Sequence, residues 1–197
     1  MAALLVILLH GLGASGAQMS PIAASWRSHL PDARFATPDA PYRNSYGGHQ
    51  WFNVDGPQLD PARIREARAA FDKAVNAVVA KEGFQGRLES VALVGVSQGA
   101  IVALDAVASG RWKVGALVAF SGLLPPTSVS PASNSTPALL IHGADDRTIS
   151  SVASTVAAAQ LRAAGFQVEL DIERGVGHTI SQAGATKALR FLHEALS

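Results

Sequence analysis

The chain has 197 residues, a formal net charge of +1, 48% hydrophobic and 16% charged residues, and no cysteine. That length and balance predict one globular domain with a sizeable core and exclude a disordered chain. Without thiols there are no disulfides, thiolate metal sites or cysteine nucleophile, and without a lysine or arginine run a nucleic-acid partner is not expected.

In chain order, the first feature is the apolar run at residues 3–9, "ALLVILL". It lacks a basic flank and a small-residue cleavage site, and it is too short to cross a bilayer. It is predicted as a buried strand of a cytoplasmic protein with no stable membrane insertion. A weaker strand is expected at residues 33–38 ("ARFATP"). Residues 38–59, rich in Pro, Gly and aromatics, show no period and are expected as a long functional loop. Asp60 and Pro61 then supply a cap and a first helical position. Ile64, Ala67, Phe71, Ala74, Val75 and Val78 form one apolar stripe, and Gly83 stops the helix.

The apolar runs at 91–96 ("VALVGV"), 114–120 ("VGALVAF") and 138–141 ("ALLI") do not alternate, as expected of strands buried on both faces. Residues 166–173 ("FQVELDIE") alternate strictly, so Phe166, Val168, Leu170 and Ile172 would face the core from an edge or half-covered strand. Helices are predicted from just after Ser97 to before Gly110, over residues 150–164, and over 181–196. An early helix would end near His29, and residues 121–137, rich in Pro, Ser and Thr, form a second loop. Strand and helix alternate, which predicts an α/β fold with a doubly wound parallel sheet and right-handed crossovers.

Within this frame "GVSQG", residues 95–99, lies between a buried strand and a helix. That is the setting in which G-x-S-x-G forms a nucleophile elbow, the serine on a strained turn and its hydroxyl exposed above the sheet. A capping serine would explain Ser97 alone. A serine needs a base and an orienting carboxylate, in the chain order Ser, acid, His. Downstream, "HGADD" places Asp145 and Asp146 just beyond a strand, and "GVGHTIS" places His178 in a glycine-rich turn. His29 and His193 fit surface positions, His142 a packed or hydrogen-bonded one, and His49 breaks the order. Oxyanion donors are expected from the backbone N–H of Gln98, after the nucleophile, and of Leu12 in "HGLG".

The blocks "LLHGLGASG", "TPDAP", "QWF", "GVSQGA", "SGLLP", "IHGADDRTIS" and "GVGHTIS" resemble, in order, the phospholipase/carboxylesterase family of α/β-hydrolases, which also includes acyl-protein thioesterases. The resemblance implies that fold with about six strands, no separate cap domain and an open, shallow site. It implies Ser97 as nucleophile, His178 as base, and Leu12 and Gln98 as oxyanion donors. For the acid it prefers Asp146 over Asp145, aligning H-G-x-x-D with His142 to Asp146. Ala14 and Asn53 stand where the family often has acidic residues, which bears on substrate preference.

Tyr42, Tyr46, Trp51 and Phe52 are expected to wall the substrate cleft, with Leu123 and Leu124 opposite; the alternative is that they anchor the loop. The function expected is a serine carboxylesterase acting on short- to medium-chain esters through an acyl-enzyme, with no metal or organic cofactor. A thioesterase or lysophospholipase using the same residues is the nearest alternative. Further off lie a non-catalytic ligand-binding protein and a metal-dependent hydrolase built on His142, Asp145 and Asp146. The partner expected is a small-molecule ester; a homodimer burying the loop aromatics is compatible with the sequence, which carries no observation for it.

Overall fold

In the computed structural model, residues 4–54, 61–126, 129–131 and 136–196 are described. The elements are β1 (Leu4–Leu9), α1 (Ser20–Trp26), β2 (Ala33–Ala36), β3 (Tyr42–Arg43), β4 (His49–Gln50), α2 (Pro61–Glu82) and β5 (Val91–Val96), then α3 (Gln98–Ala108), β6 (Ala116–Phe120), β7 (Ala138–Gly143), α4 (Val152–Ala163), β8 (Val168–Glu173) and α5 (Gln182–Ala195). Six strands form one parallel sheet in the order β2-β1-β5-β6-β7-β8. The chain runs from β1 out to β2 on one side, then returns past β1 to add β5 to β8 on the other. The direction of winding therefore reverses between β1 and β5, and a crevice opens beyond their carboxyl ends.

The non-alternating runs are explained by two apolar layers. Leu5, Ile7 and Leu9 of β1 pack with Phe71 and Val75 of α2, Leu104 of α3 and Leu161 of α4. Val6 and Leu8 point the other way, to Trp26 of α1 and Phe191 and Leu192 of α5. Each central strand has a core on both faces, which is why its apolar run does not alternate; the one polar side chain in these strands, His142, stands near the carboxyl end of β7. β8 is an edge strand, and its Val168 and Leu170 pack on one layer only, as its alternating pattern requires.

Some boundaries differ from expectation for local reasons. Phe166 is buried, but it belongs to the turn that closes α4, where its N–H donates to the Leu161 carbonyl. β6 begins at Ala116, because the Val114 carbonyl is taken by the Thr136 hydroxyl and the Gly115 N–H by Leu88 and Val91. α1 ends at Trp26, three residues before His29. The long loop is not wholly irregular: β3 and β4 pair as an antiparallel hairpin. The expected Asp60 cap lies outside the described residues. Among the described residues no helix is long and apolar enough to cross a membrane.

Candidate active site

Three loops at the carboxyl ends of β5, β7 and β8 bring Ser97, Asp146 and His178 together. Ser97 stands between β5 and α3 with φ 52° and ψ −116°, a backbone conformation that L residues rarely adopt and that costs of order 1–3 kcal/mol. The turn is held by its N–H donating to the Phe120 carbonyl at 2.9 Å. The flanking glycines are required by close approach. A Cβ on Gly95 would lie 2.5 Å from the Ala100 backbone, and one on Gly99 would lie 2.3 Å from the Leu9 carbonyl. The strain leaves the Ser97 hydroxyl 3.0 Å from His178 Nε2, which accepts its proton.

His178 Nδ1–H donates to Asp146 Oδ2 at 2.6 Å. The two loops that carry this pair are stapled together, since Asp145 N–H donates to the Val176 carbonyl and Ala144 N–H to Glu173. Gly143 lets them meet, for a Cβ there would fall 2.2 Å from the Val176 oxygen. Asp145 is exposed, while the Asp146 side chain is fully buried. Burial opposes the charge on Asp146, but the His178 hydrogen bond and the N–H groups of Ile149 and Thr148 outweigh it and hold the carboxyl below the usual carboxylate range.

The Leu12 and Gln98 backbone N–H groups have no protein acceptor among the described residues, and Gln98 opens α3, where helix N–H groups lack partners. The segment carrying Leu12 is pinned from several directions. His10 is buried: its Nδ1–H donates to the Gly11 carbonyl at 2.7 Å and its Nε2 accepts from Ala40 N–H at 2.9 Å. Those fixed partners make it a neutral imidazole, and burial lowers its pKa. Gly13 and Ala14 pair with His49 in a β-bridge, and His49 Nδ1–H donates to the Ala40 carbonyl.

Gln98 also works through its side chain, which accepts from Trp51 N–H at 2.7 Å and donates to the Phe52 carbonyl at 2.8 Å. This clamp fixes the loop beside the serine. Trp51 was expected to wall the cleft; instead it is wholly buried, with its indole N–H donating to the His10 carbonyl. A large apolar side chain with one polar end is more stable inside, where both needs are met. Tyr46 projects into solvent at the hairpin tip, 96% exposed. Phe52 does face a cleft of about 50 Å³ between α2 and α3, with Ile64, Phe71 and Ile101; Leu123, half-buried, does not line it.

Two side chains were not foreseen in these roles. The Gln98 amide leaves no sequence signal separable from the elbow itself. His142 Nε2 lies 3.1 Å from Asp146 Oδ2, and its place four residues before the acid, at a strand end, was the available hint. His142, Asp145 and Asp146 do not form a ligand set: among the described residues no group of three or more His, Asp or Glu could hold a metal ion.

The sequence profile described as phospholipase/carboxylesterase matches residues 1–196. The chain is 32% identical over 199 residues to carboxylesterase SOBER1 of Arabidopsis thaliana, covering 92% of this chain and 86% of that one. It is 30% identical over 205 residues to acyl-protein thioesterase 1 of Eremothecium gossypii, covering 94% and 85%. The crystal structure of esterase PE8 superposes with a TM-score of 0.85 at 32% identity, covering 98% of this chain and 93% of that one.

Proposed function

The chain belongs to the phospholipase/carboxylesterase family and is a carboxylic ester hydrolase; we propose that Ser97, His178 and Asp146 carry the reaction, on small esters with short to medium acyl chains. The observation that carries this reading is the continuous chain of hydrogen bonds from Ser97 Oγ through both nitrogens of His178 to Asp146.

In the first half-reaction Ser97 Oγ attacks the ester carbonyl while its proton passes to His178 Nε2. The carbonyl oxygen gains the negative charge and accepts hydrogen bonds from the Leu12 and Gln98 N–H groups. Asp146 stabilises the imidazolium as it forms and fixes the tautomer that left Nε2 free. Collapse breaks the ester C–O bond, and the leaving alkoxide takes the proton from His178. A water then repeats the attack on the acyl-enzyme with His178 as base, and the acid is released.

The apolar side chains of Phe52, Ile64 and Ile101 in the cleft between α2 and α3 support an acyl chain as its occupant. Ile101, which lines it, stands one helical turn from Ser97. A cytoplasmic location belongs to the same proposal.

The test is hydrolysis of p-nitrophenyl esters from acetyl to dodecanoyl by the wild type and Ser97→Ala side by side. Activity that peaks at a short or medium chain and is lost in the variant supports the reading. Activity unchanged in the variant removes Ser97 as nucleophile. Similarity to an acyl-protein thioesterase favours a second reading, thioester hydrolysis by the same residues. Matched oxygen and thiol esters separate the two, since the acyl-enzyme step is common to both.

A further inference from the structure

We propose that His142 is a positioning residue for the reaction: its Nε2–H holds Asp146 in the orientation that His178 requires. The inference rests on the role proposed for Asp146.

His142 ends β7, and both its side chain and that of Asp146 have no exposed surface. Its Nε2 lies 2.8 Å from the Ile149 carbonyl and 3.1 Å from Asp146 Oδ2. A carbonyl oxygen only accepts, so Nε2 carries a hydrogen in any charge state of the ring, and that hydrogen is shared with the carboxylate. Its Nδ1 is 2.7 Å from the Ser154 hydroxyl, which fixes the ring from the opposite edge.

Asp146 therefore accepts four N–H groups. Thr148 and Ile149 N–H bind Oδ1 at 2.8 and 2.9 Å, and the two imidazoles bind Oδ2. The backbone pair fixes Oδ1, but the carboxylate can still tilt about that anchor. His142 and His178 approach Oδ2 together, so the position of Oδ2 opposite His178 is set by a donor that takes no part in proton transfer. The second donor also completes the hydrogen bonding of Oδ2, a buried carboxylate oxygen that His178 alone would leave with a single partner.

A packed histidine with no effect on Asp146 is the competing account, and two substitutions part them. The Gln side-chain nitrogen in His142→Gln reaches the place of Nε2, whereas that of His142→Asn reaches the place of Nδ1. Each variant keeps one edge of the hydrogen bonding and loses the other. With p-nitrophenyl acetate, His142→Gln is expected to keep kcat within about threefold. His142→Asn should lose roughly tenfold or more in kcat at nearly unchanged KM, the loss of one hydrogen bond to a charged group.

Equal losses in both variants, or none in either, would overturn the inference. Asp146→Asn is measured alongside: if it keeps full activity the parent reading has failed, and not merely this step. Should neither His142 variant fold, nitrogen NMR of histidine-labelled wild type and Asp146→Asn decides the question: a His142 Nε2–H signal that shifts between the two supports the proposal, and one that does not shift overturns it. A protonated Nε2 on His142 is required, and a bare Nε2 refutes the proposal.

Discussion

Asp105 and Asp146 are both buried carboxylates held below the usual range, and they are held there by opposite means. Burial opposes the charge on each. At Asp105 the answer is two permanent cations: Arg68 donates through Nε and Nη2, and Arg111 through Nη1, all at 2.8–2.9 Å. At Asp146 the answer is the His178 imidazole and the backbone N–H groups of Ile149 and Thr148. A carboxylate already satisfied by two guanidiniums has little field left over. One satisfied by neutral donors keeps its attraction for a cation that appears later, which is what His178 becomes in the proposed reaction. The same direction of pKa shift thus marks a structural tie in one place and stored electrostatic stabilisation in the other.

The largest test of that contrast removes the reaction itself. Ser97→Ala should lower kcat/KM for p-nitrophenyl acetate by roughly 10⁴-fold or more, with a melting temperature within a few degrees of the wild type. Loss of the hydroxyl relaxes no packing and leaves the strained turn in place. A variant that melts far earlier would mean that Ser97 is a structural residue of the elbow.

Next comes the acid. Asp146→Asn should cost roughly 10³- to 10⁴-fold in kcat, because an amide can present its N–H to His178 and favour the wrong tautomer. Asp145→Asn, in the exposed neighbour, should stay within about twofold. If Asp145→Asn is the more damaging, the assignment of the acid is wrong.

That pair also marks where the sequence was legible. The four central strands, the order of the helices and the positions of Ser97 and His178 follow from local patterns: continuous apolar runs, a motif at a strand end, a glycine-rich turn. The choice between adjacent aspartates needed the resemblance, because one residue of spacing in a loop decides which carboxylate turns inward. Trp51 takes the second of its two expected roles, anchoring the loop and not walling the cleft, for a physical reason. An aromatic in an irregular loop looks available, and only the clamp by Gln98 and the His10 carbonyl shows why it is inside. The β3–β4 hairpin was too short to have a period, and it is set by contacts with the oxyanion loop that are distant in sequence.

At the structural carboxylate the expected loss is in stability. Asp105→Asn leaves Arg68 and Arg111 facing an amide; both cations are partly solvated, so the cost is about 2 kcal/mol and not the full penalty of an orphaned buried charge. Chemical denaturation should show a lower midpoint at unchanged slope, while kcat on p-nitrophenyl acetate stays within about threefold. A large loss of kcat without loss of stability would erase the distinction between the two carboxylates.

The smallest effect is in the pH dependence of stability, where the two carboxylates should behave alike. Each has a folded-state pKa below its unfolded one, so the unfolded chain binds more protons as pH falls. Their contribution is complete above the ordinary carboxylate range, about pH 4, and is lost as pH drops through the lowered values. His10 adds an earlier decline, beginning near pH 6.5, because the ring is buried neutral and burial lowers its pKa. Melting temperature should therefore slope gently from about pH 6.5 and steeply below about pH 4. Asp105→Asn and Asp146→Asn should each flatten the steep part, although only the second abolishes catalysis at neutral pH. If Asp146→Asn flattened nothing, the carboxylate would be no more stable ionised in the fold than out of it, and the stored stabilisation proposed for His178 would have no source.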